Sequence, residues 1–322
     1  MTIARRSPDF FIVGAAKSGT TSLYHYLTQH PSIYMPAVKE PNFLAYWNAE
    51  LDLRGPVRPQ RLWQILHDQT VLDEARYFAL FDAARPDQCV GEASPRYLYY
   101  PNAVTNIARI TPQAKLIVLL RDPVLRAHSH FRMNREFDLE PCRNFEAALA
   151  EEDARCAEGY GWDWHYLRVS RYGEQLRRLL DHFAPEQLYV ATFERLMRDG
   201  AGVCREICRF LGVDEDFTFD FSERHKVSQA AGGWLGASLN HTELSPAATL
   251  ARALLPRAVA RPIKQGLLAW VERRAAAEQQ LQAQTYQRMR AVLADDIAMI
   301  QKLVPVDLGG WVSNERRYAA AG

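Results

Sequence analysis

Short apolar runs alternate with stretches of helical period over the first two thirds of the chain. The runs at Phe10–Val13, Lys115–Leu120 and Leu188–Phe193, and a weaker one at Gln88–Glu92, have the length and side-chain content of buried strands. Between them, Thr20–Leu27, Asn102–Ile110, Val124–Arg135, Phe145–Glu152 and Glu174–Phe183 place apolar residues at helical spacing. This alternation predicts an α/β fold, a central parallel sheet flanked by helices. After Gly212 the alternation stops, and from Leu239 the chain reads as helical, with a patterned segment at Gln279–Leu303 before a final "GGW". Pro256 and Pro262 break the stretch 247–274 into short pieces. The expected organisation is a single domain over 7–315, with 239–275 as a partly basic helical insertion or cover and a helical C-terminal extension.

Parallel sheets of this kind bind ligands outside the carboxyl ends of their strands. Lys17, Glu92, Arg121 and Glu194, which follow the predicted strands, are therefore the polar residues to inspect. The first junction, "FFIVGAAKSGTTSLYHYL", sets a lysine in a glycine turn between strand and helix. The free N–H groups of a helix start, together with its dipole, suit an anion, and Gly14 and Gly19 let the backbone approach one closely. The fold expected is thus P-loop-like, although the motif is a near miss. The nucleotide-binding P-loop has its lysine directly after the second glycine, whereas Lys17 stands two residues before Gly19. By itself "KSGT" is read equally well as a glycine turn with a solvated lysine.

Composition narrows the setting. The 322 residues, 48% of them hydrophobic, can bury a large core, and 39 basic against 38 acidic residues leave a net charge of +1. No global field exists to recruit nucleic acid or an anionic membrane, so any anion site is local. Five scattered cysteines form neither a disulfide framework nor a zinc spacing, and Cys204 and Cys208 read as small apolar residues of one helix. With no signal core and no membrane-length apolar run, the default expectation is a cytoplasmic protein.

A second anion site is suggested by "LIVLLRDPVLRAHSHF". Arg121 and Asp122 end a strand, Pro123 opens a helix, and Ser129 follows one to two turns later. A guanidinium and a hydroxyl near a helix start suit phosphate. The alternative is a structural ion pair of Arg121 with Asp122 or Glu92. Taken together, the two segments resemble the sulfotransferase family that uses 3′-phosphoadenosine 5′-phosphosulfate (PAPS), of the bacterial and heparan-sulfate-sulfotransferase-like type. "KEPNFL", "GEASPRYL", "YVATFERL", "ICRFLGV" and "DIAMIQKLVPVDLGGW" extend the resemblance over most of the chain.

The resemblance implies that Lys17, Ser18, Gly19, Thr20, Thr21 and Ser22 hold the 5′-phosphosulfate and that Arg121 and Ser129 hold the 3′-phosphate. PAPS would be the donor and PAP (3′-phosphoadenosine 5′-phosphate) the product, with no metal required. Lys17 would stabilise the bridging oxygen as the S–O bond breaks. A general base must reach the acceptor hydroxyl. In heparan-type enzymes a Lys-Glu pair before an aromatic stretch supplies it, which carries over to Lys39, Glu40 and Phe43, while His128 and His130 are the reserve candidates. One departure stands out: Ala93 occupies the place of the second lysine usual in heparan-type enzymes, so that cation is either missing or comes from Arg96 or elsewhere. Glu92 either orients the acceptor, pairs with a cation or is structural, and Lys226 in "ERHKVSQAAGGW" fits either a nucleotide lid or an ordinary polar loop.

The basic, apolar-interleaved segment 250–274 is read either as a helical cover or as a surface for a lipid-linked or carrier-bound acceptor. The acceptor class is an alcohol, carbohydrate or lipid-linked, with Glu92, Arg96 and His128 as its candidate contacts. The competing classes are a P-loop kinase, which would need Mg²⁺ ligands, and a non-catalytic nucleotide-binding scaffold. The sequence leaves the oligomeric state open.

Overall fold

A computed structural model of the chain describes residues 6–49, 51, 54–57, 70–222 and 280–320. Its sheet has five parallel strands, β1 (Phe10–Gly14), β2 (Ile33–Tyr34), β3 (Cys89–Ala93), β4 (Lys115–Leu120) and β5 (Leu188–Thr192), in the order β2-β3-β1-β4-β5. β1 lies between β3 and β4, with Phe10 opposite Gly91 on one side and Lys115 on the other. All five β1 residues are buried, so the strand reads as a continuous apolar run. The two-residue period sorts the sheet's side chains between two cores. Phe11, Val13, Leu116, Val118 and Leu120 enter the larger core, and Phe10, Ile12, Ile117, Leu119 and Ala191 the smaller.

The smaller core is covered by α1 (Thr20–Thr28) and α9 (Gly200–Leu211), through Leu23, Leu27, Val203, Cys204, Ile207 and Cys208. Both cysteines are buried and free, as small apolar residues would be. Between these two helices in chain order come α2 (Phe43–Tyr46), α3 (Glu74–Ala79), α4 (Pro101–Ile110), α5 (Pro123–Glu136), α6 (Phe145–Ala157), α7 (Tyr172–Leu180) and α8 (Phe193–Arg198). The weak signal at Gln88–Glu92 has a packing cause. A Cβ on Gly91 would lie 2.2 Å from the Phe10 ring and 2.5 Å from Met35 Sδ, so the strand gives up a side chain to admit its neighbour's.

Element ends moved where capping overrides propensity. Thr192 Oγ1 accepts from Arg195 N at 3.3 Å, so Phe193 opens α8 instead of ending β5. α6 continues to Ala157 instead of Glu152, and α7 begins at Tyr172. β2, with two residues, is too short to show a period. The patterned segment after Gln279 forms two helices, α10 (Ala283–Val292) and α11 (Ala294–Leu303), meeting at the buried Leu293, and α12 (Gly309–Ala319) follows. These helices pack on the larger core through Tyr286, Leu293, Ile300 and Trp311. Asp296 of α11 accepts from Gly173 N at 3.0 Å and Glu174 N at 3.3 Å, satisfying the start of α7.

At the carboxyl end of β3, Glu92 is fully buried. Its Oε2 accepts from Tyr97 (2.8 Å) and Tyr77 (3.0 Å), and its Oε1 has no partner among the described residues. Burial, only partly offset by the hydroxyls of Ser94, Tyr97 and Tyr77, pushes this carboxyl up to about 7. Neither Arg121 nor another cation pairs with it among the described residues, which disposes of the Arg121–Glu92 ion pair. An unfolded glutamate titrates near 4.5, so the native chain holds a proton that the unfolded chain loses as pH rises from about 4.5 to 7, and stability falls across that window. Glu92→Gln should therefore match wild type in Tm at pH 4 and exceed it at pH 8, by a free-energy difference on the order of 3 kcal/mol. Thermal melts at the two pH values check this. An equal loss of stability at both would show that the buried carboxyl is not the source.

Candidate active site

The loop from β1 to α1 leaves the start of the helix uncapped. Lys17 and Gly19 both take left-handed backbone, with φ of 65° and 88°. At Gly19 the conformation favours glycine, and a Cβ there would also meet the Phe193 ring at 2.9 Å. α1 starts at Thr20 with no side-chain cap and no acidic residue in its first turn, which leaves its N–H groups and dipole available. Ser18 is fully buried, with its Oγ beside the buried Tyr172 hydroxyl. Thr20 is buried at the helix start, Ser22 is half-buried and Thr21 is exposed.

β4 delivers the second segment beside the first, because β1 and β4 are neighbours in the sheet. Arg121 Nη1 donates to the Lys17 carbonyl at 3.0 Å, the guanidinium lies 4.7 Å from the centre of the Phe193 ring, and its Nε is buried without a partner. Arg121 forms no ion pair among the described residues. Asp122, the other partner considered, instead caps α5 by accepting from Val124 N and Leu125 N at 3.1 Å each. Ser129 is half-buried on α5.

Lys17 Nζ rests 3.2 Å from Met133 Sδ. Burial lowers its pKa, the Glu40 carboxylate opposes that shift, and Arg121 and Arg126 add to it. Glu40 is thus near enough to act on Lys17. Its backbone, at φ 62°, is held by donation from its N–H to the Ala93 carbonyl at 3.0 Å, and its side chain pairs with Lys39. Asn42 N donates to Ser94 Oγ at 3.1 Å, so the Glu40 loop is fixed to the end of β3 at two points.

The other candidates are placed differently. Arg96 is buried, donates to Asp163 through both Nη atoms (3.1 and 3.3 Å) and to Tyr46, and lies 4.4 Å from the centre of the Trp162 ring. His128 packs edge-on against Phe145 with ring centres 5.3 Å apart. His130 is fully buried, and burial together with Arg126 and Lys17 holds its pKa well below the usual histidine range. Lys226 and the basic stretch 250–274 lie outside the described residues.

Three residues important to the site carry no motif. Arg126, fully buried, donates to Ser170 Oγ at 2.7 Å and to the Tyr166 carbonyl, and adds positive charge behind Lys17. Asp163 fixes Arg96, and the acid set between two tryptophans in "WDW" was its one trace in the sequence. Met133 lies four residues beyond Ser129 on α5, where helical spacing could have found it. Among the described residues no group of three His, Cys, Asp or Glu side chains is arranged to hold a metal, and no helix is long and apolar enough to cross a membrane.

Comparison with known proteins follows the same outline. The profile of the Sulfotransferase family matches residues 8–217. The crystal structure of a sulfotransferase from Alicyclobacillus acidocaldarius is 38% identical, covers 73% of this chain and 92% of its own, and superposes with a TM-score of 0.61. The human bifunctional heparan sulfate N-deacetylase/N-sulfotransferase 3 is 27% identical over 226 residues, which are 67% of this chain and 24% of that protein. The mouse heparan sulfate glucosamine 3-O-sulfotransferase 3B1 is 24% identical over 265 residues, 78% of this chain and 60% of that protein. The chain thus spans about a quarter and three fifths of the lengths of these two heparan sulfate relatives. With a profile match across the whole sheet and a solved sulfotransferase 38% identical over 73% of this chain, the chain belongs to the sulfotransferase family.

Proposed function

We propose that the chain transfers the sulfuryl group of PAPS to an acceptor hydroxyl. The observation that carries this reading is the contact of Arg121 with the Lys17 carbonyl, which brings both anion segments together where the Glu40 carboxylate acts on the lysine's charge. The donor set suits the ligand: free helix N–H groups, the buried Ser18 hydroxyl and a half-buried guanidinium that forms no ion pair and whose Nε is without a partner among the described residues. In this reading Lys17, Ser18, Gly19, Thr20, Thr21 and Ser22 hold the 5′-phosphosulfate, and Arg121 and Ser129 hold the 3′-phosphate.

Glu40 takes the proton of the acceptor hydroxyl as its oxygen attacks sulfur. The S–O bond to the nucleotide breaks, and its electron pair stays on the 5′-phosphate oxygen, where the Lys17 ammonium meets the developing charge. Two observations favour Glu40 over histidine: His130 is a weak base in its buried, cationic surroundings, and His128 is packed on Phe145. The acceptor is an alcohol, on a carbohydrate or a lipid-linked molecule. Arg96 is already matched by Asp163 and does not replace the cation missing at Ala93, so this reading does not require the polyanionic acceptor in the names of the heparan sulfate relatives.

PAP should raise the Tm of the protein without added metal, and stabilisation by ATP only in the presence of Mg²⁺ would instead indicate a kinase. Arg121→Ala should weaken PAP binding by the loss of a charge-assisted contact of about 1.5 to 3 kcal/mol, measured by calorimetry, while the rate of bound turnover changes little. Glu40→Gln should keep PAP affinity and lose about 10²- to 10⁴-fold in turnover across a panel of alcohol acceptors, whereas Lys17→Ala should lose both. Near-normal turnover of Glu40→Gln, with loss in His130→Ala, would transfer the base to the histidine.

A further inference from the structure

The residues around Arg121 are held from a part of the chain that the family profile does not reach. The profile ends at residue 217, yet α10 and α12 hydrogen-bond both carboxylates that flank this arginine. Tyr286 OH donates to Asp122 Oδ2 at 2.6 Å, with Asn314 Nδ2 at 3.4 Å from the same oxygen. Trp311 Nε1 donates to Glu194 Oε2 at 3.1 Å. The other oxygen of Glu194 accepts from the Asp122 backbone N–H at 3.1 Å, and Asp122 Oδ1 caps α5. The two carboxylates therefore form one connected unit, anchored at both ends by C-terminal side chains.

Arg121 sits on this unit. Its chain neighbours are Asp122 and the end of β4, its guanidinium covers Phe193, the residue before Glu194, and both carboxylates act on its charge, Glu194 the more strongly. A guanidinium aimed at an anion is useful only in a narrow range of positions, since its N–H groups form a rigid fork. The bond to the Lys17 carbonyl and the packing on Phe193 supply part of that restraint, and the backbone on either side, tied to the two carboxylates, supplies the rest.

We propose that Tyr286 and Trp311 are positioning residues for the nucleotide: through Asp122 and Glu194 they hold Arg121 where it meets the 3′-phosphate. This rests on the reading that Arg121 takes that phosphate. The C-terminal helices then belong to the donor site itself, and the sheet with its two loops is incomplete without them.

Tyr286→Phe is the sharper variant, because the ring keeps its stacking on Tyr318, with centroids 4.3 Å apart, and only the hydroxyl is lost. Trp311→Phe is the second. Affinities for PAP and for adenosine 5′-phosphate, which lacks the 3′-phosphate, are measured by calorimetry on the full chain well below the Tm of each variant. PAP should weaken by about 3- to 10-fold in Tyr286→Phe, the worth of a buried hydrogen bond, while adenosine 5′-phosphate is unchanged within about twofold. A lower Tm with both affinities unchanged, or with both weakened alike, would reduce these residues to ordinary packing and overturn the proposal. Arg121→Ala separates the two levels. If it leaves the preference for PAP over adenosine 5′-phosphate intact, the 3′-phosphate reading fails; if it erases that preference and Tyr286→Phe does not reduce it, only the positioning role fails.

Discussion

The adjacency of β1 and β4 is the constraint from which the rest of the site follows. Both strands end at the same edge of the sheet, one in the glycine loop and the other in Arg121, and a single donor bond from Nη1 to the Lys17 carbonyl locks the two ends together. Had another strand come between them, the interstrand spacing of roughly 5 Å would have doubled, and the loop and the arginine could not share a ligand. The parallel order also turns the ends of β3, β1 and β4 the same way, so the Glu40 loop, docked on Ala93, arrives on the other flank of Lys17.

The electrostatics of this edge are uneven in an instructive way. Arg96 and Arg155 are buried against Asp163 and Glu140, and each such pair keeps its charge inside the protein. Arg126 is also buried and Arg121 is half-buried, neither forms an ion pair among the described residues, and the charge of each lowers the pKa of Lys17. Buried positive charge without a matching carboxylate is costly, and it clusters where the loop and β4 meet. An anion bound there, as proposed, would offset that cost.

How much of this was readable in the sequence depended on distance along the chain. Lys17, Ser18 and Gly19 were legible because the loop is local and its spacing to α1 is set by the backbone. Arg121 was legible because an arginine between an apolar run and "DP" marks the end of a strand. The partner of Arg96 was not, because Asp163 is 67 residues away and is brought back by a short 3-10 turn. Nor was the hold of Tyr286 on Asp122, across 164 residues, since it depends on how α10 lies against α5. β3 was nearly missed for the opposite reason: Gly91 weakens its pattern to make room for a neighbouring ring. The ion-pair alternative for Asp122 was open in the sequence, because a carboxylate next to an arginine suggests one, while its position before Pro123 makes it a helix cap.

The contact of Lys17 with Met133 bears on the proposed reaction. A thioether sulfur is a weak acceptor, so the ammonium at 3.2 Å is held in place without being satisfied. A carboxylate there would have competed with every incoming anion and would have to be displaced each cycle. In the proposed reading, the soft, polarisable sulfur is a partner that the amine can leave for an anion with little reorganisation.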